Sequence, residues 1–292
     1  MQGIGDDCAR IRVSDGAELA ITTDMLIEGR HFLPGADPRA LGHKALAVNL
    51  SDLAACGATP RWITLALALP SADERWLKSF SEGLFALADR HGVELIGGDT
   101  TRGPLAIDIT ALGEVPAGKA LTRAGARPGD DLWVSGELGG AALALAHPEI
   151  AGAARRLHEP EPRVALGGRL RGLARAAIDI SDGLAGDLGH ILERSGVGAV
   201  VHYAQIPKDK SFERMKNEEL ERRCVLSGGD DYELLFAADR KGRSELESLS
   251  KELGIALTRI GEITSRKKAL SILDQNGKSM PHRGGYDHFG AT

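Results

Sequence analysis

The sequence has few aromatic residues, few cysteines and no long apolar run. Phe, Trp and Tyr make up 4% of its 292 residues, too few for a surface that stacks many bases, and the net charge of -5 argues against a general nucleic-acid binder. The three cysteines, Cys8, Cys56 and Cys224, form no Cys-x-x-Cys pair, as is typical of reduced thiols in the cytosol. We therefore expect a cytoplasmic protein that binds no nucleic acid.

The apolar runs are also too short for a membrane segment. The longest spans residues 63–69, whereas about 20 apolar residues are needed to cross a bilayer. The first residues lack the basic stretch and the following apolar stretch of a secretory signal. The sequence therefore predicts a protein without contact to the membrane.

The composition is that of a folded protein, and the length fits two domains. Hydrophobic residues at 42% and charged residues at 26% are close to globular averages, and a chain of 292 residues fits two domains of about 100–200 residues each. Residues 116–131 are rich in Gly, Ala, Pro and Arg without periodicity, which is typical of a linker. We predict an N-terminal domain over residues 1–116 and a C-terminal domain over residues 117–292.

Hydrophobic periodicity predicts that both domains are of the mixed α/β class. In the first, alternation indicates strands near residues 19–23, 63–69 and 105–111. One helix is expected from the N-cap Asp37 to Gly57, and another from a capping box of Ser71 and Glu74 to Gly92. In the second, we expect a strand near residues 132–134, an Ala-rich helix, an Arg-rich helix over residues 164–177, and strands near residues 178, 200, 234 and 260.

Aspartates recur where strands are predicted to end. These residues are Asp6, Asp7, Asp24, Asp99, Asp179 and Asp182. Carboxylates that converge from strand ends repel one another unless cations lie between them, and hard oxygen ligands favour Mg²⁺. Such a set indicates a site for metal-bound nucleotide phosphates. Any one of them alone also fits ordinary Asp-Gly turn chemistry.

Other residues allow two interpretations each. Asp52 interrupts a helix that should be buried, on the same face as Asn49, and is either part of the acidic set or a salt-bridged surface residue. Gly98 would let the backbone approach a phosphate. Arg123 is either a cation for that phosphate or a solvated linker residue, and His31 either faces an acceptor or is simply packed or exposed.

Two further stretches resemble ligand-binding sequences. Residues 113–120 nearly match a P-loop, but Pro116 and Ala120 remove a backbone donor and the hydroxyl that such a loop needs, so we reject this interpretation. Near the end, residues 284–289 place aromatic rings after a glycine pair and either cover a planar ligand or seal the terminus.

Several motifs, in the same order along the chain, closely resemble the thiamine-monophosphate kinase family. They begin at Gly3, Thr22, His31, Lys44, Gly97, Asp179, Gly228 and Gly285, and together they cover essentially the whole sequence. The resemblance implies a magnesium-dependent enzyme that transfers the γ-phosphoryl group of ATP to thiamine monophosphate, giving thiamine diphosphate in the last step of that cofactor's biosynthesis. It also implies the fold of aminoimidazole ribonucleotide synthetase and a homodimer formed through the first domain.

The same resemblance implies roles for individual residues. The expected ligands of several Mg²⁺ ions are Asp7, Thr22, Thr23, Asp24, Asp52, Asp179 and Asp182. The expected contacts of ATP are Gly98, Asp99, Arg123 and Ser181, and those of the acceptor are His31, Asp230 and Tyr286. Asp24, Asp182 and Arg123 are expected to act in the transfer itself, which needs no general base because the acceptor phosphate oxygen is already anionic.

The sequence departs from the family's pattern in two places. Asp230 stands where the family often has Glu, and the chain begins almost at its first motif, so a missing segment is expected to lower turnover. Three other functions stay open at this point. They are another ATP-dependent synthetase on the same scaffold, a metal-dependent phosphatase, and a sensor that binds Mg²⁺-ATP without turnover.

Overall fold

The computed structural model describes residues 3–215, 217–282 and 284–285. They divide into two compact units: unit 1 takes residues 1–120 and 158–164, and unit 2 takes residues 121–157 and 165–292. Each unit has a β-sheet and a hydrophobic core of its own. Over the residues that the structure describes, every helix is too short or too polar to cross a membrane.

Unit 1 consists of a four-stranded sheet and two long helices. Its elements are β1 (Ala17–Ile27), α1 (Pro38–Ala55), β2 (Thr59–Leu69), α2 (Glu74–His91), β3 (Glu94–Arg102) and β4 (Ala106–Pro116). The strand order is β1-β4-β2-β3, with β4 antiparallel to both of its neighbours and β2 parallel to β3. The carboxyl ends of β1, β2 and β3 therefore lie at one edge of the sheet.

Both helices begin at an N-cap aspartate, and one of these two N-caps differs from the prediction. The Asp37 side chain accepts hydrogen bonds from the first backbone N–H groups of α1, and Pro38 follows it, as predicted. The predicted capping box at Ser71 was wrong, because Asp73 is the N-cap of α2 and accepts bonds from the N–H groups of Arg75 and Trp76. The helix does end at Gly92, in the left-handed conformation that favours glycine.

Close packing of α1 on α2 depends on two glycines. A Cβ atom at Gly42 would lie 2.1 Å from the Phe80 carbonyl oxygen, and one at Gly83 would lie 1.8 Å from the Arg39 carbonyl oxygen. The backbones of the two helices therefore approach each other more closely than any larger residue allows. This contact fixes α1, which carries Asp52, relative to the sheet and to α2.

Unit 2 has a six-stranded mixed sheet with helices between its strands. The elements that follow β4 along the chain are β5 (Asp131–Ser135), α3 (Gly140–Ala146), α4 (Ala151–His158), α5 (Val164–Leu170), β6 (Ala174–Asp179), α6 (Leu184–Ser195), β7 (Gly198–His202), α7 (Glu218–Ser227), β8 (Leu234–Ala238), α8 (Arg243–Leu253), β9 (Leu257–Thr264) and β10 (Leu270–Leu273). The strand order is β10-β7-β9-β5-β8-β6, which leaves β6 at one edge.

The Arg-rich helix predicted over residues 164–177 was wrong in its second half. The helix ends at Leu170, and a turn at Gly172 with a φ of 85° leads into β6. Ala174 to Asp179 instead pair with β8 in an antiparallel ladder. Pairing with a strand about sixty positions further on outweighs the local helical preference, as tertiary contacts commonly do.

Candidate active site

Unit 1 brings together three of the predicted metal ligands on the helix-covered face of its sheet. Thr22, Asp24 and Leu26 alternate along β1 with more exposed residues, so their side chains share one face. The Thr22 hydroxyl donates a hydrogen bond to the Asp52 carboxylate of α1. A hydroxyl and two carboxylates from β1 and α1 thus present oxygen ligands in one region of this unit.

Other predicted ligands of unit 1 lie apart from this group. The Thr23 side chain faces the opposite side of β1, where its hydroxyl lies 3.0 Å from the hydroxyl of Thr110. Asp7 is exposed, and its backbone N–H donates to the side chain of Asp6 at 2.9 Å. In the turn after β1, the N–H of Ile27 donates to His31 Nδ1 at 3.0 Å, so a neutral His31 carries its proton on Nε2.

Gly98 and Asp99 lie inside β3 and not at its end, because the strand continues to Arg102. The ladder places Asp24, Ile109, Leu65 and Gly98 in one row across the sheet, so Asp24 and Gly98 are three strand spacings, or about 14 Å, apart. The prediction that Asp24 and Asp99 converge from strand ends was therefore wrong. A Cβ at Gly98 would lie 1.9 Å from the Leu65 carbonyl oxygen, so sheet packing already requires glycine there.

In unit 2, the carboxyl end of β6 carries three predicted site residues on one turn. Asp179 is the last residue of the strand and is almost fully buried, and Ser181 and Asp182 follow before α6 begins at Leu184. The N-cap Gly183 has no side chain to hold this turn. Asp187, inside α6, holds it instead, because its Oδ2 accepts bonds from the N–H groups of Ser181, Asp182 and Gly183, which precede the helix, each at 3.1 Å.

The electrostatics of this turn reflect its burial. Desolvation and then repulsion by Asp182 raise the pKa of Asp187 to about 7, and the three backbone N–H bonds only partly oppose this shift. Asp187 was missed by the sequence analysis, which assigned it no role. An acidic residue in the first turn of a helix that begins with glycine is the signal that would have indicated a backbone-binding carboxylate.

The loop between α7 and β8 lies against the same turn. The N–H of Asp230 donates to the Ser181 carbonyl at 2.9 Å, and the N–H of Tyr232 donates to the Ile180 carbonyl at 2.8 Å. A Cβ at Gly229 would lie 2.3 Å from the Ser181 carbonyl oxygen, so glycine is needed for this approach. The structure thus brings Asp230 beside Ser181 and Asp182, as the sequence could not show.

Arg123 lies on the segment that runs beside the edge strand β6. The N–H of Ala177 donates to the Thr122 carbonyl at 2.9 Å, and the Ser195 hydroxyl donates to the Arg123 carbonyl at 3.1 Å. The Arg123 side chain is exposed, and its neighbour Thr122 is bonded to Ala177, two positions before Asp179 in β6. The remaining predicted acceptor contact, Tyr286, lies outside the described residues.

The chemistry of these residues fits Mg²⁺. Every predicted ligand offers a hydroxyl or carboxylate oxygen, the donors that Mg²⁺ prefers, and none offers a thiol or imidazole. Among the described residues no group of three or more His, Cys, Asp and Glu is placed to hold a metal ion by itself. Mg²⁺ does not require one, because it is usually held by one or two carboxylates together with water and substrate phosphates.

Comparison with known proteins identifies the family of this chain. Residues 5–115 match the N-terminal domain of the AIR synthase related protein family, and residues 127–273 match its C-terminal domain. The thiamine-monophosphate kinase of Escherichia coli strain K12 is 46% identical over 297 residues, which cover 98% of this chain and 91% of that protein. The chain belongs to the thiamine-monophosphate kinase family.

Solved structures of the kinase family have the same fold. The crystal structure of thiamine-monophosphate kinase from Stenotrophomonas maltophilia K279a superimposes with a TM-score of 0.90 at 45% identity, over 96% of this chain and 92% of that one. The structure of AaThiL complexed with AMPPCP and TMP superimposes with a TM-score of 0.83 at 30% identity, over 99% and 93%. The predicted fold of two mixed α/β domains is confirmed.

Proposed function

We propose that this protein transfers the γ-phosphoryl group of ATP to thiamine monophosphate, giving ADP and thiamine diphosphate. The observation that carries the proposal is a relative, AaThiL, that is 30% identical across 99% of this chain and was solved with AMPPCP and TMP. AMPPCP is an analogue of ATP, and TMP is the acceptor that the family name describes. The 46% identity to the Escherichia coli kinase over nearly the whole chain supports the same reaction.

Mg²⁺ is the cofactor of this proposal. In unit 1 the ligands would be Asp7, Asp24 and Asp52, with Thr22 and Thr23 beside them, and in unit 2 they would be Asp179 and Asp182. Bound Mg²⁺ would neutralise phosphate charge as the γ-phosphoryl group moves. The contact between Thr22 and Asp52 and the burial of Asp179 support these assignments, because both hold oxygen ligands in fixed positions.

The remaining residues would bind the two substrates. Gly98, Asp99, Arg123 and Ser181 would contact ATP. His31, Asp230 and Tyr286 would contact the acceptor. In the domain division expected from the sequence, residues 1–116 bind metal and nucleotide phosphate and form the dimer, and residues 117–292 contribute ATP and acceptor contacts. The carboxylate of Asp230 is well suited to a cationic acceptor. It lies in the loop that is bonded to the Ser181 turn.

The transfer would be a direct in-line displacement. The acceptor phosphate oxygen is anionic at neutral pH and attacks without a general base, while Arg123 offsets charge on the transferred group. Asp24 and Asp182 would act by holding metal ions in place. No covalent phosphoenzyme is part of this proposal.

A homodimer in the cytoplasm is the expected state. Ile21 and Met25 project from the face of the unit 1 sheet opposite the helices, and they are 62% and 51% exposed. Exposed apolar side chains in a row on one sheet face are typical of a protein interface. All three cysteines are among the described residues and no disulfide joins them, which suits a reducing compartment.

Phosphorus NMR of the protein with ATP, Mg²⁺ and thiamine monophosphate tests the reaction. We expect ADP and thiamine diphosphate to appear together, and both to be absent when EDTA replaces Mg²⁺. Free phosphate with ADP would instead identify a phosphatase. ADP formation that ignores thiamine monophosphate would identify a synthetase with another acceptor, and binding of Mg²⁺-ATP without turnover would identify a sensor.

A further inference from the structure

The loop between α7 and β8 contains two residues in a strained backbone conformation. Asp230 and Tyr232 have φ angles of 67° and 50°, in the left-handed region that residues other than glycine rarely occupy. For a bulky aromatic residue this conformation is unfavourable and persists only when surrounding contacts impose it. Such strain is concentrated at functional positions.

Backbone bonds attach the loop to the turn after β6 on both sides of the strained residues. Asp230 and Tyr232 donate their N–H groups to the carbonyls of Ser181 and Ile180, and the Ile180 N–H donates to the Glu233 carbonyl at 2.8 Å. These three bonds hold the strained stretch against the turn that carries Ser181 and Asp182.

The side chains of the loop divide into two pairs with different partners. Both oxygens of the buried Asp231 lie 3.0 Å from the N–H of Gly139, and Glu233 accepts a bond from the Ser135 hydroxyl at 2.5 Å. The Tyr232 hydroxyl, in contrast, donates to Asp230 Oδ1 at 2.9 Å. Tyr232 is 8% exposed, so a ring fixed by packing supplies the hydroxyl that orients a half-buried carboxylate.

We infer that Tyr232 is a positioning residue, whose hydroxyl fixes the Asp230 carboxylate for recognition of the cationic acceptor. The inference rests on the proposed function, which gives Asp230 its acceptor contact. A hydrogen bond from a neutral phenol leaves the charge of the carboxylate in place and restricts its rotation. Without the hydroxyl, Asp230 keeps its charge but samples orientations that do not meet the acceptor.

The test is steady-state kinetics of Tyr232→Phe, with Tyr203→Phe as a matched control. Tyr203 also donates its hydroxyl to a carboxylate of unit 2, Glu221, at 3.0 Å, outside the proposed site. We expect Tyr232→Phe to raise KM for thiamine monophosphate about tenfold, as loss of a hydrogen bond to a charged group does, with KM for ATP changed less than about twofold. Tyr203→Phe should change neither constant.

A double-mutant cycle separates positioning from general damage to the fold. If Tyr232 acts through Asp230, then Tyr232→Phe has no further effect on KM in the Asp230→Asn background. Independent effects of the two substitutions, or an equal rise in both KM values for Tyr232→Phe, would overturn the inference. The cycle is measured below the melting temperature of every variant, so a general loss of stability cannot imitate the coupling.

The wild-type protein distinguishes this inference from the proposed function. Absence of turnover with thiamine monophosphate in the wild type would overturn the proposed function and the inference together. Wild-type turnover combined with an unchanged KM in Tyr232→Phe would overturn the inference alone.

Discussion

At the scale of single residues, neighbouring aspartates in this protein have different tasks. Asp231 is buried, which raises its pKa well above the usual range, although the Gly139 N–H bond opposes this shift. The adjacent Asp230 is half-buried and held by Tyr232. Asp182 lies on the turn after β6, where its backbone N–H is occupied by Asp187. This bond fixes the backbone of Asp182, which suits its proposed role as a metal ligand.

The first prediction concerns the Asp182 carboxylate. Asp182→Asn removes one negative charge at nearly constant shape, so kcat should fall by about 10²- to 10³-fold while the melting temperature stays close to that of the wild type. Turnover assays and calorimetry on the same preparation check both parts. Asp274→Asn is the control, because it makes the same substitution at another aspartate of unit 2, one that accepts backbone N–H bonds in a turn outside the site. Turnover near that of the wild type in Asp182→Asn would contradict its proposed role.

At the scale of elements, the turn between β6 and α6 depends on a side chain from inside the helix. Glycine is required at the N-cap position 183, since its φ is 113° and a Cβ would lie 2.8 Å from the Ser227 carbonyl carbon. The N-cap therefore has no side chain to hold the turn. Asp187, one turn further on, compensates by accepting bonds from the N–H groups of Ser181, Asp182 and Gly183, which precede the helix.

The second prediction follows from that compensation. Asp187→Ala leaves three backbone N–H groups without their acceptor and should lower the free energy of unfolding by about 3 kcal/mol, whereas Asp187→Asn keeps an acceptor oxygen and should cost less. Urea denaturation of both variants measures the difference. Asn217→Ala, which removes the N-cap of α7 and a single N–H contact, is the control and should cost about 1 kcal/mol. Equal stability of Asp187→Ala and the wild type would show that water replaces the carboxylate.

At the scale of the whole molecule, one face of the unit 1 sheet exposes apolar side chains of its first strand. Helices α1 and α2 belong to the other face, where Ile63, Ile107 and Ile109 are fully buried. On the face opposite the helices, β1 exposes Ile21, Met25 and Ile27, which are separated by four and two positions. Burial of such a face against a second copy would remove apolar area from water, the main driving force of association.

The third prediction tests this face. Ile21→Asp places a charge at the most exposed position of the apolar row and should convert a dimer into a monomer in sedimentation equilibrium. Leu145→Asp is the control, because Leu145 of α3 is an apolar residue that is 55% exposed and belongs to unit 2. It should leave the oligomeric state unchanged. A wild type that sediments as a monomer at all concentrations would refute the proposed dimer.

Local signals predicted much of the fold correctly and failed where partners lie far apart in the chain. The N-cap Asp37 and the C-terminal Gly92 depend only on adjacent backbone groups, and both predictions are confirmed. The end of α5 at Leu170 and the start of β6 at Ala174 were missed, because β6 exists by pairing with β8. Residues 97–99 and 228–230 both read Gly-Gly-Asp, yet the first segment lies inside β3 and the second in the loop before β8.

The sequence by itself determined the family, the order of its motifs and the oxygen chemistry of the candidate site, since these depend on residue identity and spacing. Only the tertiary structure decided which residues meet. Thr22 and Asp52 are 30 positions apart, and the Ser181 and Asp230 backbones meet across 49 positions. It also assigned Asp187 and Tyr232 their contacts. A hydrogen bond between distant residues leaves no periodic pattern in a sequence, because its geometry is set by how strands pair and helices pack.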